Sequence, residues 1–387
     1  MAEDSGIVGP EVQLPGSDQF LLMMGRLLLL LGVLAWVVWL VVQLVRMLRR
    51  RAAVRRGDEP PPRRRRRRVP ITLGVVTVVG LVTTVATLQP PFFVPEFPPL
   101  PQLLPDEALF YRPVTDLPVA ADSERWIASQ GGLAWGSGFS GEEYAGVAAG
   151  MPFNLADRST PMVDVELTQY PDSSYPGPYP ITDPAYIEML PNYGFDQHYL
   201  VLDLEQRRAW ELIAARRWFG RWQAGAGASW SMDSVDYPIG STIAAGLPLL
   251  PGTITYDEVA DGSIDHLLLG ASPITATGRF VWPARGGDGV STDPDAPPMG
   301  AWMRLRADAD LSALGPQARV IAEAAQRYGV LLSDTGPGFG LRGTVDARWD
   351  NADLATLNEL STDDFEFLDV SSIIVSEDSM AARPPAG

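Results

Sequence analysis

The chain has 387 residues, 47 of them acidic and 30 basic, with every basic residue an arginine and a formal net charge of -17. It contains no cysteine, which excludes disulfides, thiolate metal sites and a cysteine nucleophile. The acidic bulk repels phosphate backbones, so nucleic acid is excluded as its partner, whereas cations and basic or neutral polymers remain compatible.

Residues 1–19 form a short acidic tail. From Phe20 to Val45 the sequence FLLMMGRLLLLLGVLAWVVWLVVQLV is almost wholly apolar and long enough to cross a bilayer, with Arg26 near enough to its start to snorkel to the headgroups. Residues 46–68 carry Arg46, Arg49, Arg50, Arg51, Arg55 and Arg56, then the unbroken run Arg63, Arg64, Arg65, Arg66, Arg67 and Arg68. A second uncharged stretch, VPITLGVVTVVGLVTTVATL, fills residues 69–88. The positive-inside rule places the arginine loop in the cytoplasm and both ends of the chain outside it, which predicts a two-pass cell-membrane protein with the lipid bilayer as partner. The first apolar run is too long for the core of a cleaved signal peptide.

Residues 89–108, rich in proline, predict a stiff stalk whose Phe92, Phe93, Phe97 and leucines pack on the domain or rest at the membrane interface. Residues 109–375 read as one external β-rich domain. Val163, Val165 and Leu167 alternate with polar residues, and further strands are expected at 199–203, 209–214, 228–232, 264–269, 279–282, 301–306, 330–334 and 365–370. Gly and Pro turns between short strands predict an antiparallel sandwich or jelly-roll-like body. Two or three peripheral helices are expected: 122–129, 316–328, and one that Asp350 caps. Residues 376–387 are expected to be disordered.

Chemistry is sparse. No P-loop, dinucleotide fingerprint, nucleophile elbow, HExxH or EF-hand loop occurs, and the sequence names no cofactor. His198 and His266 are the only histidines. If their strands are neighbours, Asp196, His198 and His266 converge as a two-histidine, one-carboxylate metal site or as an acid–base cluster. Alternatively each histidine caps a strand end and donates to a backbone carbonyl. Asp257 and Glu258, read on extended chain, face opposite ways, so at most one of them serves a given site. Asp334 is a further candidate acid. Nine tryptophans follow the stalk; Trp218, Trp222 and Trp230, among arginines and glycines, are the candidates for exposed sugar-stacking faces, with Tyr256 beside them as a ligand-binding candidate.

The segments SYPGPYPI, DQHYLVLD followed by AWEL, AGLPLLPGTITYDEVADGSIDH, PPMGAWMRLRAD and RWDNADL resemble a family of exported, β-rich bacterial proteins with no established function. The resemblance covers residues 116–370 and implies a stand-alone module associated with polysaccharide. This chain departs from the family pattern in having no cysteine in the strand after His198 and in its membrane hairpin. The leading expectation is a surface module that binds cell-envelope or environmental polysaccharide. The alternatives are a carbohydrate-active hydrolase or lyase using His198, His266 and a carboxylate among Asp196, Asp257 and Asp334, or a structural, partner-docking role in a membrane complex.

Overall fold

A computed structural model describes residues 97–140, 143–144, 147–188 and 196–385. Contacts divide the chain into Met1–Pro90 and Pro91–Gly387, and every described residue belongs to the second unit. The expected spans at 20–45 and 69–88 and the arginines at 63–68 lie outside the described residues, among which no helix is long and apolar enough to cross a membrane.

The second unit is mainly β. Its largest sheet has six strands in the order β1 (Trp135–Ser137), β17 (Phe339–Leu341), β14 (Leu268–Ser272), β16 (Val330–Thr335), β15 (Trp302–Leu305) and β18 (Phe365–Phe367). A five-stranded sheet runs β13 (Ile239–Gly240), β12 (Ala226–Ser231), β9 (Arg208–Ile213), β8 (Tyr199–Asp203) and β4 (Phe153–Leu155). A three-stranded sheet joins β10 (Arg216–Trp218), β11 (Arg221–Ala224) and β6 (Val165–Leu167). Two ribbons, β2 (Glu143–Tyr144) with β3 (Val147–Ala148) and β5 (Met162–Val163) with β7 (Tyr179–Pro180), complete the strands among the described residues.

The expected antiparallel pairing is corrected: the sheets are mixed. β1 with β17, β14 with β16, β11 with β6 and β4 with β8 all pair parallel. The physical reason is layering. Leu267 and Leu269 enter the core shared with the five-stranded sheet, while Leu268 enters the core on the other face, which α3 (Pro316–Arg327) covers. A strand buried on both faces reads as a continuous apolar run, and such a run carries no period-two signal of its direction. In the five-stranded sheet, Leu200 and Leu202 likewise face the shared core while Tyr199 and Val201 face a third cluster.

Helix α1 (Ser123–Gln130) and α3 lie close to their expected spans, and Asp350 caps α4 (Asn351–Leu354) by accepting from the Ala352 and Asp353 amides. Two readings fail. Residues 279–282 form no strand, Phe280 making only an isolated bridge to Met299. The Tyr256–Asp261 segment is a helix, α2, because Thr255 and Glu258 form a reciprocal capping box that closes its first turn.

Both ends of the domain are also tied down. Leu103 and Leu104 are buried, and their amides donate to Tyr111 Oη at 3.1 and 3.2 Å. Proline prevents regular structure here but does not prevent the intervening leucines from packing. The expected disordered tail is corrected as well: Met380 is fully buried, its carbonyl accepts from the Leu109 amide at 2.8 Å, and Ala382 donates to Glu107 O at 2.8 Å. Met380→Ala is therefore expected to cost about 2–5 kcal/mol, and removing residues 376–387 is expected to lower the midpoint at least as far. Calorimetry of the solubilised chain measures both, and unchanged midpoints would mean that the tail contributes nothing to the core.

Candidate functional site

His198 stands just before β8, fully buried. Its Nδ1 lies 2.8 Å from Glu188 Oε2 and its Nε2 lies 3.2 Å from Thr242 O. A carbonyl and an ionised carboxylate only accept, so both ring nitrogens must donate, and the ring is an imidazolium. Burial disfavours that charge, but the attraction of Glu188 and its hydrogen bond outweigh burial and hold His198 above its ordinary value. Burial likewise opposes an ionised Glu188, and the same partner brings it below the usual carboxyl range. The chain closes this pair locally, because the His198 amide donates to Glu188 Oε2 and the Glu188 amide to His198 O.

His266 repeats the arrangement elsewhere. Its Nδ1 lies 2.8 Å from Leu267 O and its Nε2 lies 3.2 Å from Glu258 Oε1. Its burial is again outweighed by the paired carboxylate, which raises His266 and lowers Glu258. Glu258 belongs at the same time to the cap of α2, taking the Thr255 amide and hydroxyl. Each histidine therefore has its own glutamate and its own carbonyl. Among the described residues no group of three His, Asp or Glu side chains is arranged to hold a metal ion, so His198, His266 and Asp196 do not form the metal site that their spacing suggested.

The other named residues separate too. Asp257 pairs with Arg348 at 2.8 Å, and that guanidinium lies over the Tyr256 ring, 4.2 Å from its centroid. Trp230 is buried, with its indole N–H on Glu211 Oε1 at 2.9 Å. Asp334, at the end of β16, pairs with Arg342 and accepts the Thr335 amide. Burial pushes Asp334 up to about 6, with Arg342 pulling the other way and Asp288 and Asp196 adding to the rise.

Glu188, Asp196, Thr335 and Arg342 line a cleft of about 390 Å³ beside β1 and β17. Its walls come from residues 136–138 and 336–343, five of the latter glycine or proline, with Met151 and Ala271 beside them. The closeness is tight enough that a Cβ on Gly138 would stand 2.3 Å from Leu341 O. Behind Glu188 a buried polar seam continues inward. His198 reaches Thr242 O, the Thr242 hydroxyl donates to Glu211 Oε2 at 2.6 Å, and Glu211 also takes the Leu249 amide at 2.9 Å. Burial raises Glu211 despite these donors.

A second concave feature lies on the three-stranded sheet. An open trough of 550 Å³ is lined by Asp164, Glu166, Arg221 and Trp222. The first three are exposed, and Trp222 is half-buried against Tyr199. At the adjoining hairpin tip Trp218 meets Phe219 edge-on, and Phe219 is 65% exposed.

Sequence reasoning missed Glu188, Glu211 and Arg342. Glu188 lies ten residues before its partner and shows no local pattern. Glu211 did leave a signal, being a lone acid inside the apolar strand AWEL. The chain matches no family model, no characterised protein and no solved structure.

The two shifts fix a pH window. A histidine raised on folding stabilises below its unfolded value near ~6.5 and loses that contribution as pH rises through its folded value, whereas the lowered Glu188 contributes above ~4.3 and fails as pH falls through its folded value. Glu188→Gln leaves a buried cation unpaired and is expected to cost about 3–5 kcal/mol near pH ~5.5, with a smaller cost on the alkaline side. Unfolding free energies across pH test this, and a pH-independent difference would contradict it.

Proposed function

We propose that the chain is a two-pass membrane protein, with both ends outside the cytoplasm and Arg63 to Arg68 inside it. Its external β-rich domain, read as a sandwich-like body of the exported family it resembles, binds cell-envelope or environmental polysaccharide. The observation that carries this reading is the trough, which Trp222 lines together with the exposed residues Asp164, Glu166 and Arg221. An indole face packs against the apolar face of a sugar ring, while carboxylate and guanidinium groups at its edge exchange hydrogen bonds with hydroxyls. An open trough also suits a polymer, which must enter and leave along its length.

Binding is favoured over a hydrolase built on both histidines. Each imidazole is held between a glutamate and a carbonyl, which leaves neither ring nitrogen free to take or give a proton. Retention of the full-length chain, in detergent micelles, on a panel of insoluble envelope polysaccharides tests the proposal. The unmodified chain is retained by at least one polymer, and Trp222→Ala weakens that retention about tenfold, the upper range of an aromatic contact. Absence of retention on every polymer, or equal retention of the variant, would contradict it.

A further inference from the structure

The chain turns from β10 into β11 through Phe219 and Gly220, because Trp218 and Arg221 are the outermost partners of this hairpin. Both turn residues are left-handed, Phe219 at φ 46° and Gly220 at φ 82°. Turns of this kind take asparagine, aspartate or glycine at the first position, since those residues enter the left-handed region at little cost. A phenylalanine there strains the backbone, and its ring is 65% exposed, meeting the Trp218 indole edge-on at 4.8 Å. Phe219 takes no part in the buried cluster beneath the sheet. Neither the turn nor the core benefits from the ring, and an outlier of this kind marks strain retained for a use.

The neighbouring residues indicate which use. Directly paired residues of an antiparallel hairpin share a face. Trp222 pairs with Arg217 and packs on the Tyr199 ring, which turns that face toward the domain. Trp218 pairs with Arg221 on the opposite face, where Arg216 joins them two residues earlier. Arg217 and Arg221 are both exposed. The carboxylates of this sheet, Asp164 and Glu166, lie before and within β6, which pairs only with Trp222 to Ala224, so the turn projects beyond that pairing. Glu166 moreover accepts from the Gln223 amide at 2.8 Å. Aromatic rings edged by guanidinium groups match a phospholipid surface, where rings enter the interfacial layer and arginines meet phosphates. The acidic remainder of the domain is repelled by such a surface when it carries anionic lipid.

We propose that the tip of the β10–β11 hairpin docks on a bilayer containing anionic phospholipid. Phe219 and Trp218 enter the interfacial layer, and Arg216, Arg217 and Arg221 meet lipid phosphates. Repulsion of the surrounding acidic surface makes the contact end-on, through the tip alone. Trp222 and the carboxylates of the trough take no part in it.

The chain has no cysteine, so Phe219→Cys carries a single environment-sensitive fluorophore at the tip, itself an apolar ring. The labelled full-length chain, held in phosphatidylcholine nanodiscs, is titrated with phosphatidylcholine vesicles that contain or lack phosphatidylglycerol. Emission is expected to shift to the blue on the anionic vesicles. Replacing both exposed arginines, Arg217→Gln with Arg221→Gln, is expected to weaken that association at least about tenfold. No shift on either vesicle, an equal shift on both, or undiminished association in the double variant would overturn the proposal. A shift produced by a polysaccharide and not by vesicles would also overturn it, by assigning the tip to the trough. Vesicle association in a chain that no polysaccharide retains would support the docking tip while the reading of the trough fails.

Discussion

The pairing of a fully buried imidazolium with a largely buried carboxylate, His198 with Glu188, is the constraint on which this domain's interior depends. Removing either charge from water costs several kcal/mol, and the pair offsets that cost only while both members stay in register. It sits among residues from several elements: Glu211 of β9, Thr242 beyond β13, Asp334 of β16 and Arg342 just after β17. Glu211 lies on the same side of its strand as Ala209, whose side chain enters the core common to the two large sheets. The polar seam therefore crosses an otherwise apolar layer, and its outer end is the wall of the cleft.

The same solution occurs twice. His266 and Glu258 form a second pair at the cap of α2, so both histidines of the chain are used to fasten a strand start to a neighbouring segment. That assignment moves the search for function from the histidines to the surface. What remains available there are the exposed carboxylates and the arginine lining the trough with Trp222 and the exposed Asp196 at the cleft beside β1 and β17. Both features suit polar, hydroxylated ligands, and the acidic composition of the whole domain favours those that are neutral or cationic.

Much of the local structure was legible. YLVLD and AWELI are apolar runs bounded by turn residues, and the strands 199–203 and 208–213 fall on them. Asp350 announced its helix because a short acidic side chain before an apolar turn has few other uses. Strand direction was not legible, since the leucines at 267–269 face two cores at once and lose any alternation. Nor was the α2 helix, whose capping pair is hidden in an acidic stretch that resembles solvated chain. Trp230 was misread because its arginine and glycine neighbours say nothing about Glu211, nineteen residues away and diagonal to it on the neighbouring strand. Proline and alanine at the two ends concealed a pairing that only three-dimensional proximity of Ala108 and Ala381 reveals.

The protonation state of the histidines is the most direct measure of this account. With only two histidines in the chain, nitrogen-15 labelling of imidazole gives two rings, readily assigned by substituting one of them. At pH ~6.5, where a free ring is half-protonated, both nitrogens of His198 should carry slowly exchanging protons and show imidazolium shifts. A neutral ring with one bare nitrogen at that pH would contradict the buried ion pair and, with it, the seam that shapes the cleft.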